Sequence, residues 1–512
     1  MATITLTSGY AELDNWPGNL LDAQNGATVT TKTATTFTFV YGSGHEFPGF
    51  SVTISGTGFA YDGNEPIAGT MTSVTFKDEN GTTILTISGL AAGTPASDLN
   101  LFYANIFGWE FPDGGTSGTQ SKNAWSQLLS GNDTINGTSG DDNRGSPGVD
   151  AGNDVFNMGN GDDWVAGGMG NDTIKGGNDY DTLSFEETHW NEGIPMVRGI
   201  DVDMTTGVVL DPYGYKDKIT GIEKVIGSSY ADVFLGDGND NTFMGARGMD
   251  TINGGGGGFD WAEYQDDQWW GGTRGIVADL AAGTIKDGFG NVDTVSNIEG
   301  VSGTRYNDVF VGNGSDNYFT GAEGKDSYDG KGGNDFVFFF RNFSDTNQGG
   351  INVDLTKASN QIIDDGFGNT ETATSIEGII GSDFADKIKG TSGFNYFGGN
   401  DGKDTMTGGG GNDEFEFWDL NEMNDQDVIT DFTSGSGGNQ DVLRFNMSNM
   451  GASTTLTLVN GTAATQAVST FIFDTATDKL YWDADGTGGG ARLTVAVLQG
   501  VNSLSAANFD LF

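Results

Sequence analysis

A nine-residue pattern constrains this chain more than any other feature. Residues 167–175, Gly167-Gly168-Met169-Gly170-Asn171-Asp172-Thr173-Ile174-Lys175, read glycine, glycine, any residue, glycine, any residue, aspartate, any residue, an apolar residue, any residue. The sixth-position aspartates Asp154, Asp163, Asp172 and Asp181 stand nine residues apart, after a less regular start at Asp133 and Asp142. The eighth positions are Phe156, Val165, Ile174 and Leu183, all apolar. Glycine permits positive φ and close backbone approach, so the first half of each unit is a tight turn. The second half is a short strand. The aspartate is expected to point out of the turn and the eighth residue to point inward. Two such units then make one coil, and coils stack into a parallel β-roll around a thin apolar column.

A longer period is superimposed. Residues 199–228, 275–304 and 350–382 resemble one another, with Glu223, Glu299 and Glu377 marking the same point at separations of 76 and 78 residues. Each segment reads as a β-hairpin inserted before another nonapeptide block. Sixth positions there are Asp232, Asn241, Asp250 and Asp260, then Asp308, Asn317, Asp326 and Asp335, then Asp386, Asn395, Asp404 and Asp413. Asparagine stands second in all three blocks, so the whole unit is duplicated. An extra glycine within residues 254–258 shifts the register by one.

The fold class expected is therefore all-β. An N-terminal β-sandwich-like domain spans 1–128. Roll blocks with inserted hairpins span 129–185, 186–262, 263–338 and 339–418, and a C-terminal β cap spans 419–512. Before the repeats, runs rich in β-branched and aromatic residues at 28–41 and 51–61 read as strands. Residues 71–76 and 83–87 flank an Asn80-Gly81 turn and read as a hairpin. Residues 97–107 allow a short helix with Ser97 as N-cap.

Charge tracks the repeats. The chain carries a net charge of −48. Residues 1–128 are net −8 and 471–512 net −3, leaving −37 for 129–470. So acidic a chain does not suit nucleic acid or anionic membrane surfaces. It opposes its own compaction unless cations neutralise it. Turn carbonyls beside an aspartate from a neighbouring coil offer all-oxygen ligands, which suit Ca²⁺ better than Mg²⁺. Zinc and copper prefer His or Cys, and the chain has 2 and 0 of these. The expected metal ligands are all the sixth-position residues named above, together with Gly170. Asn241, Asn317 and Asn395 offer one neutral oxygen each, so weak or empty sites are expected there. With a thin core, the roll is expected to fold only on calcium.

These residues make the chain resemble the RTX family of secreted bacterial proteins over about residues 129–512. The tail, ending Asp510-Leu511-Phe512, is similar to the C-terminal targeting segment of type I secretion substrates. The resemblance implies export from a Gram-negative cell in one step, unfolded inside and folding in external calcium. It also implies the secretion machinery as a transient partner. The N-terminus has no basic and apolar leader pattern, and there is no cysteine, in keeping with that expectation. No run of apolar residues is long enough to span a bilayer as a helix.

Many RTX proteins carry an enzyme before the roll. Here His45-Glu46 stands alone, His189 has no partner motif, and no nucleophile–base arrangement is visible. The expected function is a non-enzymatic, self-assembling surface-layer or matrix protein. A calcium-dependent adhesin or glycan-binding module is the alternative, with loops at 188–191, 265–271 (including Trp269 and Trp270) and 342–348 as contact candidates. An RTX-linked extracellular enzyme with an unrecognised site is a second alternative.

Overall fold

The computed structural model describes residues 152–186, 196–339, 349–419, 425–435, 439–449 and 454–512. Before residue 152 it describes the segments 3–6, 28–40, 51–62, 65–77, 83–88, 90, 134–136 and 143–144. Asp133, Asp142, His45, His189, residues 97–107 and the loops at 188–191 and 342–348 lie outside the described residues. The chain packs as two units, Met1–Asp260 and Trp261–Phe512.

The first unit opens on an antiparallel sheet. The run at 28–41 is two strands, Thr28–Lys32 and Thr36–Val40, paired with each other. Thr36–Val40 pairs with Ser51–Asp62, which pairs with Glu65–Lys77. The expected hairpin follows as Glu65–Lys77 against Thr83–Ser88, with Phe76 opposite Leu85. The described strands form one sheet; its edge strand Thr3–Leu6 lies parallel to Thr134–Asn136, the first strand of the roll.

From there the roll has two faces. On one, Phe156, Ile174 and Ile219 are in register on parallel strands. On the other, Val165, Leu183, Val225 and Phe243 are in register. All of these are at most 4% exposed, as are the eighth-position residues of the later blocks. The inward apolar column expected from the repeat is thus the core. In the second unit aromatic rings thicken it, with Phe310 and Tyr328 stacked at 5.1 Å.

The inserts expected as hairpins carry a third strand. Asp201–Asp203, Val208–Leu210 and Lys216–Thr220 form a three-stranded antiparallel meander. Its last strand pairs parallel with Thr173–Asn178, and its first pairs parallel with Val233–Leu235. The meander is therefore part of one roll face. Val277–Asp279, Thr284–Lys286 and Val292–Ser296 repeat the arrangement in the second unit. The third meander, Asn352–Asp354, Ile362–Asp364 and Thr372–Thr374, is less regular, with a single Ile362–Glu371 bridge before its last strand.

The roll continues past the last nonapeptide. Asp427–Ile429 pairs parallel with Thr405–Thr407, and Val442–Phe445 with Glu414–Phe417. The tail closes both faces of this end. Leu493–Leu498 pairs parallel with Asp427–Ile429, and Phe509–Leu511 pairs parallel with Val442–Phe445.

Candidate metal centres

The sixth-position aspartates face inward, against the expectation that they point out of the turn. Asp154, Asp163, Asp172 and Asp181 are each at most 2% exposed. The reason is the strand period: residues two apart share a face, so an aspartate two residues before a core side chain points the same way.

Buried, they form a ladder. The Asp154 N–H donates to Asp172 Oδ1 at 2.7 Å, and the Asp163 N–H donates to Asp181 Oδ1 at 3.0 Å. Both pairs are 18 residues apart, which is one coil. Asp232 and Asp250 repeat the relationship, as do Asp308 and Asp326, Asn317 and Asp335, Asp386 and Asp404, and Asn395 and Asp413. The extra glycine within 254–258 is absorbed here, because the Asn241 N–H reaches Asp260 Oδ1 at 2.9 Å across 19 residues.

Acids outside the nonapeptides complete the ladder. The Asp172 N–H donates to Asp217 Oδ1 at 2.8 Å and the Asp181 N–H to Glu223 Oε2 at 2.8 Å. Asp326 and Asp335 donate likewise to Glu371 Oε1 and Glu377 Oε2. At the far end Asp404 donates to Asp427 and Asp413 to Asp441. Sequence reasoning marked Glu223 and Glu377 as a repeat signal and missed this role. The signal available was an acid two residues before a buried apolar residue, as in Asp217 and Ile219.

In several of these carboxylates one oxygen is spent on the ladder and the other is left buried without a donor. Oδ2 of Asp181, Asp217, Asp335 and Asp427 and Oε2 of Glu371 are buried with no hydrogen-bond donor. Asp267, on the turn before the second meander, has Oδ1 in the same state while Oδ2 accepts the Gly288 N–H at 2.8 Å. Leaving a charged oxygen so placed costs several kcal/mol unless a proton or a cation meets it. Burial accordingly pushes Asp181 up to about 6, Asp335 to about 7 and Asp427 to about 8.

Glycine makes the room. A Cβ on Gly176 would overlap both Asp181 Oδ2 and the Gly221 carbonyl oxygen, so a carboxylate and a carbonyl converge above that bare Cα. Gly170, with φ +147°, packs so closely on the coil before it that a Cβ would overlap the Gly152 carbonyl oxygen. Among the described residues no three His, Cys, Asp or Glu side chains converge into a metal-binding group. A cation held here with six to eight oxygens would have to draw on backbone carbonyls as well as carboxylates, a ligand set of the kind Ca²⁺ takes.

The exceptions are built differently. Asn241 and Asn317 accept the N–H groups of Asp237 and Asn313 and donate Nδ2 to the Asp240 and Asp316 carbonyls. Asn395 accepts from Thr391 and donates to the Glu377 carbonyl. The first acid of each of the three later blocks also has both oxygens engaged: in Asp232, Oδ1 accepts from Ile200 N–H and Ser228 Oγ, and Oδ2 from Ser228 N–H. Thr304 and Ser382 hold Asp308 and Asp386 in the same way.

The family model described as RTX calcium-binding nonapeptide repeat (4 copies) matches residues 129–143, 149–183, 226–258, 302–337 and 380–415. The matched segments are the nonapeptide blocks, and nonapeptide repeats of this kind bind Ca²⁺. The three meanders lie between the matches. The comparison with curated proteins finds no match.

Proposed function

The chain is an RTX repeat protein, and from that premise we propose that it is a secreted, non-enzymatic protein whose roll folds on calcium outside the cell and then assembles into a surface layer or matrix. The ladder of buried carboxylates carries the reading. The sixth-position oxygens of Asp172, Asp181, Asp250, Asp335, Asp404 and Asp413 are the ligands this reading assigns first. Asn241, Asn317 and Asn395 act as fixed hydrogen-bonding rungs, since both ends of each amide are already engaged. In a calcium-poor interior the same acids repel, and the glycine-rich turns have the largest conformational entropy to lose. The chain then stays extended and fit for export.

Assembly is supported by the outer face of the second unit. Val277 and Val309 are register partners and are 45% and 37% exposed; Lys286 separates Val277 from Val292, which is 50% exposed. Exposed valines on one sheet face suit contact with another copy. Trp269, 64% exposed, favours the second reading, an adhesin that stacks a sugar ring or a protein surface on this side chain.

Negative-stain microscopy of the full chain after calcium addition tests the first reading. Sheets or filaments that dissolve in chelator are expected. Monodisperse particles at high concentration, together with a glycan-array signal lost in Trp269→Ala, would move the assignment to the adhesin.

A further inference from the structure

The three meanders contain the same turn, Asp-x-x-Gly-x-x-acid: Asp211 to Asp217, Asp287 to Asp293 and Asp365 to Glu371. In each, the first aspartate is at most 1% exposed and braces its own turn. Asp287 Oδ1 accepts the N–H groups of Phe289, Gly290 and Asn291, and its Oδ2 accepts Asn291 Nδ2 at 2.9 Å. Asp365 Oδ1 accepts the N–H groups of Phe367 and Asn369, with Asn369 Nδ2 on Oδ2 at 2.9 Å. Both carboxylates are thereby satisfied.

The first meander breaks this rule. Tyr215 stands where the others have asparagine. Asp211 Oδ1 still accepts the N–H groups of Tyr213 and Tyr215, at 3.0 and 2.6 Å. Oδ2 has lost its amide donor and is buried with no replacement, in a side chain that is 0% exposed. Asp217 Oδ2, in a side chain 1% exposed, is in the same state. The two acids lie at the same end of adjacent antiparallel strands, since Leu210 pairs with Lys216 and Val209 with Asp217. Alternation turns Val209, Asp211, Asp217 and Ile219 to one inner face. Burial first, then the charges of Asp172 and Asp211, push the Asp217 carboxyl up to about 8. Arg198, whose charge acts on Asp211, is exposed and directs its Nε to the Gly199 carbonyl.

We propose that the first meander holds a divalent cation between the carboxylates of Asp211 and Asp217, a site outside the nonapeptide blocks that the asparagine amide closes in the other two meanders. The ion takes the place of the missing Nδ2 donor on Asp211. It also meets the free oxygen of Asp217, so the turn of the meander is tied to the coil carrying Asp172. Two carboxylates with turn carbonyls form a hard-oxygen site of the kind Ca²⁺ occupies. The proposal rests on the calcium reading of the roll.

The test is a count of bound Ca²⁺ by equilibrium dialysis of the full chain at saturating calcium, with circular dichroism as the folding control. Tyr215→Asn restores the donor without removing an acid and is expected to bind one ion fewer than the parent with the same spectrum. Asp211→Asn keeps the turn-bracing oxygen and is expected to lose the same single ion. An unchanged count in both variants would overturn the proposal and mark Asp211 as a buried neutral acid, which asparagine mimics. If the parent binds no calcium at all, the calcium reading of the roll fails instead, so the two failures are distinct. Should Asp211→Asn fail to fold, Tyr215→Asn alone decides.

Discussion

The backbone N–H of Asp172 donates to Asp217 Oδ1 at 2.8 Å, across 45 residues and over the boundary between a nonapeptide block and the meander that follows it. The bond repeats, with a different acid, what Asp154 does with Asp172 inside the block. The ladder is therefore defined by position on the inner face, and the nonapeptide is one of several local sequences that supply it.

Removing calcium should unfold the roll. Chelator is expected to abolish most of the far-ultraviolet β signal of the full chain, and added calcium to restore it. A spectrum unchanged by chelation would contradict the ladder as a cation-dependent structure.

The pH dependence has opposite signs with and without metal. Burial holds Asp181, Asp335 and Asp217 at about 6, 7 and 8, against a usual 3.8. A carboxyl with a raised folded pKa favours the fold fully below its unfolded pKa and loses that contribution as pH rises through the folded pKa. Calcium-stripped protein should therefore be most ordered near pH 4 and lose structure progressively to about pH 8. Calcium needs the ionised form, so its apparent affinity should instead rise over the same range. Denaturation curves and calcium titrations at several pH values check both slopes.

Asp181→Ala removes the acceptor of the Asp163 N–H and the buried, unpartnered Oδ2 together. A buried amide left unsatisfied costs about 1–3 kcal/mol, and the loss of a ligand should raise the calcium midpoint as well. Asp181→Asn keeps the acceptor, so it should show the midpoint shift with little loss of stability in saturating calcium. Equal effects from both would contradict the division of labour between the two oxygens.

Gly176→Ala places a methyl group where Asp181 Oδ2 and the Gly221 carbonyl meet. Overpacking of this kind costs about 1–3 kcal/mol. Since backbone lies on one side, the coil must shift, and weaker calcium binding with a broader unfolding transition is expected. Gly214→Ala, which meets nothing within 4 Å but sits at φ +98°, separates backbone strain from crowding.

Arg444 fastens the C-terminal strand. Its guanidinium lies 3.2 Å from Glu414 Oε2 and 3.0 Å from Asp510 Oδ2, and 4.9 Å from the centre of the Phe512 ring. Arg444→Ala is expected to weaken this end by about 1 kcal/mol, a partly exposed ion pair and cation–π contact together. Carboxypeptidase digestion in calcium should then release the last residues faster, with the rest of the roll unaffected.

The eighth-position residues and the spacing of the acids were legible in the sequence, because a turn–strand unit repeats the same local geometry wherever it occurs. The apolar identity of Phe156 or Ile174 needed no partner to be read. One local inference that failed, the outward aspartate, conflicted with the two-residue period of its own strand.

The sequence by itself determined a calcium-binding parallel roll: glycines that only a tight turn requires, acids at fixed distances from them, and an apolar column inside. Tertiary structure decided which acids join the array and how the inserts and tail are used. Asp217, Glu371, Asp427 and Asp441 enter the ladder only because long-range strand pairing puts each one coil from a donor, at separations of 45, 45, 23 and 28 residues. No local pattern encodes such distances. They follow from hydrogen-bond register between strands, which is set when the coils stack.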